Sequence, residues 1–301
     1  MNTKFVGWAL AHRGNSKFRG NSIVATLMIA LLILFALLFL IPKINPPLRP
    51  AHPVKQRAQL HAIDAAIELF NSNSNGYPPS GAVDENGKPY CGAMKLCEAM
   101  MGRDLMGFNP ESVFRSDGMD GNGNVLYPKW NPKSEEAYQD SLITRKGPYL
   151  PLENANAYTL ADIYGKGNIG SFDPNNHVFC GTFENIKISG KRKKVGMPIL
   201  YYKADTSKTA HDVNDPNNPE NIYDYRDNHA LLALGVPGKP GQKHPLYEDP
   251  KIFYEVTRND KITGPSRPYR ADTYILLSAG YDGLYGTEDD IANFEFRRRP
   301  K

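Results

Sequence analysis

Ile23 to Ile41 reads IVATLMIALLILFALLFLI, nineteen residues without a charge and with Thr26 as the one polar side chain. As an α-helix, a run of this length spans about 30 Å, the thickness of a bilayer's hydrocarbon core. A helix in the core of a water-soluble protein normally keeps one polar stripe, and this run has none. The sequence therefore predicts one membrane-spanning helix over residues 21–42. A basic leader (1–20) precedes it and a long polar region follows.

About 250 of the 301 residues follow the apolar run, enough for one large domain or two small ones with a real core. Mean hydropathy is −0.49, so the apolar character is concentrated in the anchor. Twenty-six glycines and 24 prolines point to a loop-rich fold of short strands. The net charge of +4 is local, because Lys4, Arg13, Lys17 and Arg19 account for it and residues 1–20 hold no acid. The rest of the chain is neutral, which argues against nucleic acid as a partner. Cys91, Cys97 and Cys180 lack the paired CxxC units of a zinc ribbon. Cys91 and Cys97 could close a local disulfide if the polar region lies outside the cytoplasm; the alternative is three half-buried thiols.

No small-x-small cleavage site follows the apolar run, since Pro42-Lys43-Ile44-Asn45 comes next. On its other side, Lys17-Phe18-Arg19-Gly20 abuts it. Here the chain resembles the type IV pilin and type II secretion pseudopilin family. Members carry a basic leader ending in Gly that prepilin peptidase cuts on the cytoplasmic side. The apolar helix then begins the mature chain, often with proline at its twenty-second position. Counting Asn21 as the first mature residue places Pro42 there. Two departures stand out: Asn21 replaces the family's apolar first residue, and Ala25 replaces its fifth-position Glu. That Glu is thought to pair with a neighbouring subunit's amino terminus, and the large minor pseudopilin at the fibre tip tolerates its absence.

Charge alone does not orient the anchor, because Lys43, Arg49, Lys55 and Arg57 balance the leader's four cations. The resemblance does: it implies processing between Gly20 and Asn21 and a single pass through the inner membrane. The N-terminus would lie in the cytoplasm and the C-terminal domain in the periplasm. The implied partners are prepilin peptidase, other pseudopilin or pilin-like subunits and the secretion machinery.

Beyond the anchor, Pro42, Pro46, Pro47, Pro50 and Pro53 predict a stiff extended linker over 43–53. Helix is expected from Val54 to Asn71, with Leu60, Ile63, Ile67 and Phe70 as one apolar stripe. It runs into Asn71-Ser-Asn-Ser-Asn-Gly76-Tyr77-Pro78-Pro79, and AIDAAIELFNSNSNGYPPSG resembles the pseudopilin helix and its closing turn. A second helix is expected over Ala93 to Leu105. Strands are expected at Val178 to Ile188, Pro198 to Lys203, Ile252 to Val256 and Thr273 to Ser278. The fold class is then α+β: an amphipathic helix on an antiparallel sheet, in a pilin-like soluble domain over 54–301. Residues 77–270 carry no family motif and read as a large loop-rich insertion, so the resemblance covers about a quarter of the chain.

Several motifs resolve into ordinary structure. Gly165-Lys-Gly167-Asn-Ile-Gly170 reads GxGxxG, but Ser171-Phe172-Asp173-Pro174 follows as a turn where a dinucleotide site needs a helix. Lys191-Arg192-Lys193-Lys194 joins two expected strands as a solvated tip. The seven histidines show no metal spacing and no GxSxG occurs. His211-Asp212 beside Ser207 is a cluster that polar loops generate by chance. Asp117-Gly-Met-Asp120-Gly-Asn122-Gly-Asn124 lacks the closing acid of an EF-hand and reads as an Asx-rich turn.

The candidate site lies near the C-terminus, in Ala279-Gly280-Tyr281-Asp282-Gly283-Leu284-Tyr285-Gly286-Thr287-Glu288-Asp289-Asp290-Ile291. Four carboxylates in nine residues repel one another unless a cation or solvent separates them. Hard oxygen ligands on a glycine-bearing loop suit Ca²⁺. The stretch resembles the calcium loop of the major pseudopilin. By position, the resemblance makes Asp282, Asp289 and Asp290 side-chain ligands and Leu284 a carbonyl ligand, with Phe294 at the family's aromatic position. The alternative is an acidic turn without metal.

The expectation is a non-enzymatic subunit of a type II secretion-type pseudopilus, acting by assembly. A membrane-tethered extracytoplasmic binding protein or a minor tip pseudopilin is the alternative. An anchored enzyme would need a cleft of converging catalytic groups that the sequence does not mark.

Overall fold

A computed structural model describes residues 24–32, 51–188 and 193–295. The chain divides into two units, 1–50 and Ala51–Lys301. In the first unit, residues 24–32 are helical with exposed side chains. Among the described residues, no helix is long and apolar enough to cross a membrane. The expected leader, the Gly20–Asn21 processing site, the remainder of the 21–42 span and linker residues 43–50 lie outside the described residues.

The second unit opens with helix α1 (Ala51–Ser74). It starts three residues before the expected Val54, taking in the last residues of the expected linker. Pro53 is accommodated because first-turn amides have no carbonyl partner within the helix. Leu60, Ile63, Ile67 and Phe70 are all buried, as their spacing requires. The turn beyond the helix begins at Asn75, whose φ of 59° is left-handed. Polar groups fix the first half of α1: Gln59 Nε2 donates to the Cys180 carbonyl at 2.9 Å, and Gln56 Oε1 accepts the Thr182 amide at 2.6 Å.

Helix α2 (Gly92–Met101) is buried along its whole length. It ends before the expected Leu105 because Gly102, at φ 76°, turns the chain against the Gly107 carbonyl. Its polar residues are satisfied inside the protein. Lys95 Nζ donates to the carbonyls of Gly81 and Val83 at 2.8 and 2.9 Å. The Glu98 carboxylate accepts the hydroxyls of Tyr90, Ser112 and Tyr127. Such pairing is what permits charged side chains in a core.

All the sheets are small and antiparallel. Strand β1 (Ala157–Thr159) pairs with β2 (His177–Phe179), and β3 (Ile186–Lys187) with β4 (Lys194–Val195). The central sheet has β6 (Tyr274–Ser278) between β5 (Leu200–Lys203) and β7 (Ile291–Ala292). One face, with Tyr201, Tyr274, Leu276 and Ile291, packs in the same core as the α1 stripe. The other face, with Leu200, Tyr202, Ile275 and Leu277, meets a second core containing Phe253, Tyr254 and Tyr285. Burial on both faces explains why β6 reads YILLS without alternation.

The α+β architecture, with a helix packed on an antiparallel sheet, is therefore present. Residues 77–270 supply α2, the edge strand β5 and much of the covering of the sheet's second face. One expectation needs correction. The expected strand Ile252 to Val256 is instead part of a helix, Lys251–Thr257, whose Phe253, Tyr254 and Thr257 face inward at helical spacing.

Candidate functional site

The acidic stretch forms the connection between two neighbouring strands, since Ser278 of β6 pairs with Ile291 of β7. Its neck is tight. A Cβ on Gly280 would overlap the carboxyl carbon and the backbone carbonyl of Asp289, so glycine is required there by space. The Asp282 amide donates to Asp289 Oδ2 at 3.1 Å across this neck. Inside the loop, Asp282 Oδ1 accepts the Leu284 amide at 2.7 Å. Gly283 and Gly286, at φ 75° and 91°, supply the left-handed turns. Thr287 Oγ1 donates to Asp289 Oδ1 at 2.7 Å and to the Leu284 carbonyl at 3.3 Å.

Asp290 differs from the other acids. It is 9% exposed, and its Oδ2 accepts the Gly286 amide at 2.7 Å. Its Oδ1 is buried with no hydrogen-bond partner. Burial, then the charges of Asp289 and Asp282, push its carboxyl well above the usual carboxylate range. A buried carboxylate oxygen without a donor is costly, and either a proton or a cation would relieve it.

The structure thus brings Asp282, Leu284, Asp289 and Asp290 into one loop with the Leu284 carbonyl. The donors fit calcium in kind, being hard oxygens with one of them orphaned and buried. Among the described residues, no three His, Cys, Asp or Glu side chains converge as metal ligands do.

Sequence reasoning missed what anchors the loop. Tyr285, in its middle, is buried in the core, and its hydroxyl donates to the Pro198 carbonyl at the approach to β5. The Tyr285 amide donates to Nδ1 of the buried His244 at 3.4 Å, and the two rings meet edge to face with centroids 4.9 Å apart. The one available signal was a large aromatic between glycines in an otherwise polar loop. Phe294, which the resemblance sets at the aromatic position beyond the loop, stacks on Tyr269 with ring centroids 4.6 Å apart.

The other motifs are structural. Helix Leu160–Tyr164 ends at Gly165, and turns occupy the GxGxxG stretch. Asp120 Oδ1 accepts the amides of Asn122 and Asn124, and Asp117 pairs with Arg115 at 2.7 Å, an Asx turn with its acids already engaged. His211 Nε2 lies 2.7 Å from the Tyr254 carbonyl, while Ser207 bonds Asp205, so His211, Asp212 and Ser207 form no relay. A small cleft beside Glu98 and Arg103 holds about 10 Å³, room for a single water.

The expected Cys91–Cys97 disulfide is corrected. All three cysteines are free and buried. Cys91 caps α2 and Cys97 lies inside it, so about 9 Å of helical rise separates them, beyond the ~7 Å Cα limit of a disulfide. They also face different cores.

No protein-family model, no curated protein and no solved structure matches this chain.

Proposed function

We propose that this chain is a pilin-like subunit of a type II secretion-type pseudopilus. In this reading residues 21–42 anchor it in the inner membrane after prepilin peptidase cuts behind Gly20. The N-terminus is cytoplasmic before cutting and the domain from Ala51 onward is periplasmic. It acts by assembly: apolar helices leave the bilayer and pack into a filament core with other pseudopilin subunits, which leaves the sheet-bearing domain outside.

The observation that carries the reading is the linkage of parts along the chain. A charge-free run lies behind Arg19-Gly20, and a helix then buries its stripe on an antiparallel sheet whose last connection is an acidic loop. Asp282, Asp289 and Asp290, with the Leu284 carbonyl, would hold Ca²⁺, and the orphaned Asp290 Oδ1 supports this. Bound calcium would supply positive charge against three carboxylates carried on one loop. The residues themselves fix the loop to the sheet through Gly280 and Tyr285.

The second reading, a tethered binding protein or minor tip subunit, draws support from Ala25 in place of the acidic fifth residue. The mature N-terminus tests the pilin class. The full chain, made in cells that contain prepilin peptidase, should begin at Asn21 by mass spectrometry. A chain that retains Met1 to Gly20 would overturn it.

A further inference from the structure

The basic hairpin β3–β4 sits at a particular end of the domain. Just before β3, Phe183 stacks on His52 in the first turn of α1, with ring centroids 5.9 Å apart. Thr182 is held by Gln56 and Cys180 by Gln59, all within the first half of that helix. The hairpin therefore stands where the chain enters the domain from residue 50. Residues 42–50 are all that separate this point from the apolar run, and nine extended residues reach at most about 30 Å.

That end is strongly cationic. Lys187 and Lys194 are exposed and paired directly opposite each other across the hairpin, an arrangement of like charges that destabilises an isolated ladder. Lys193 is also exposed, with its Nζ 5.1 Å from the Tyr158 ring centroid. Lys55 and Arg57 are exposed in the opening turns of α1, beside Val54, which is 68% exposed. Glu184 is exposed just before β3, and the charge of Asp162, like that of Lys193, reaches the buried Cys180. From Ala51 to Ile63 the sequence contains no acid.

We propose that this face, centred on Lys187, Lys193 and Lys194, docks on the anionic phospholipid headgroups of the membrane that holds the anchor. The proposal rests on the reading of residues 21–42 as a membrane helix. Basic residues close to an anionic leaflet are attracted within a Debye length, and an exposed apolar side chain among them suits the interface. The like charges of Lys187 and Lys194 then face a common counterion surface. Docking would hold the domain against the bilayer before assembly, and extraction from the membrane would release it.

The test reconstitutes the full chain into nanodiscs of phosphatidylcholine alone, or of phosphatidylcholine with phosphatidylglycerol, and follows acetylation of individual lysines by mass spectrometry. Lys203, whose amide bonds Ser80 at the other end of α1, is the internal control. Acetylation at Lys187, Lys193 and Lys194 should slow about fivefold in the anionic discs, as on the order of one basic contact predicts, and recover in high salt. Lys203 should not change. The exposed double variant K187Q/K194Q should fold and lose the protection at Lys193. Equal labelling in both lipids overturns the proposal. Protection that ignores lipid charge but grows with protein concentration also overturns it, in favour of a second copy. A chain that enters neither disc refutes the anchor reading, and the proposal with it.

Discussion

Asp289 lies so close over Gly280 that its carboxyl carbon and carbonyl fill the space a Cβ on Gly280 would need. This contact closes the neck of the acidic loop and ties the end of β6 to the start of β7. Gly280→Ala must displace the Asp289 backbone, because its carbonyl carbon and oxygen, and not only its carboxyl group, occupy the space. The expected cost is about 1–3 kcal/mol, or roughly 2–4 °C of melting temperature per kcal/mol in a domain of this size. An unchanged melting temperature would mean that the neck is loose.

Calcium should stabilise the parent protein. A ligand that binds only the folded form contributes roughly 2.7 kcal/mol at a hundredfold excess over its Kd. Thermal melting of the full chain, with calcium and with chelator, should therefore separate by several degrees. Asp282→Ala and Asp290→Ala should abolish most of that difference. Asp117→Ala and Asp120→Ala should preserve it, because those carboxylates already serve Arg115 and the backbone of their own turn. Coincident curves for the parent would leave the loop as an acidic turn.

Buried titrating groups of opposite sign set the pH dependence. Burial holds His211 and His244 at about 4, below their ordinary 6.5, so their neutral forms fit the fold. Their contribution is complete above pH 6.5 and is lost as pH falls towards 4. Burial raises Asp227 to about 7, with Lys95 and Arg226 opposing the shift and Asp224 adding to it. That contribution is present below 3.8 and is lost as pH rises through 7. Asp227→Asn keeps an oxygen to accept the Ser80 hydroxyl, so its stability relative to the parent should rise by about 1.4 kcal/mol per pH unit between pH 4 and 7. Urea unfolding at a series of pH values measures this. A difference that stays constant across the range would contradict it.

The stripe of α1 should dominate the stability of the helix–sheet contact. Ile63 and Ile67 are fully buried against the sheet, whereas Leu69 on the same helix is 54% exposed. Ile63→Ala or Ile67→Ala should cost about 2–5 kcal/mol, and Leu69→Ala within about 0.5 kcal/mol of nothing. Comparable losses in denaturant melts at all three positions would show the helix packed on another face.

All three cysteines should behave as slow, buried thiols. Burial pushes Cys91 to about 11 and raises Cys97 well above the usual thiol range, so little reactive thiolate forms near neutral pH. Native, unreduced protein should label slowly, and unfolding without reductant should then expose three thiols. Fewer than three would reveal a bond that the folded arrangement lacks.

Local periodicity is a property of the chain itself, and where it is strong the sequence was sufficient. The spacing of Leu60, Ile63, Ile67 and Phe70 determined both the α1 helix and the face it buries. The β-branched and aromatic runs placed β5 and β6, and the cluster of aspartates and glycines placed the acidic loop. The carboxylates of that loop were legible because their mutual repulsion follows from separation along the chain alone.

Burial depends on what covers an element, and that was decided only in three dimensions. Lys251–Thr257 carries strand-like residues, yet it is helical because Phe253, Tyr254 and Thr257 meet the core on one helical face. Cys91 and Cys97 are near in sequence, and the rise of α2 carries them into different cores. Tyr285 sits in a polar, glycine-bearing stretch, and nothing local says that it enters the core. Its burial requires Pro198 and His244, which lie about 87 and 41 residues away along the chain. Pairing over such distances fixes the loop, because the entropy of ordering it is offset only when those remote partners are already in place.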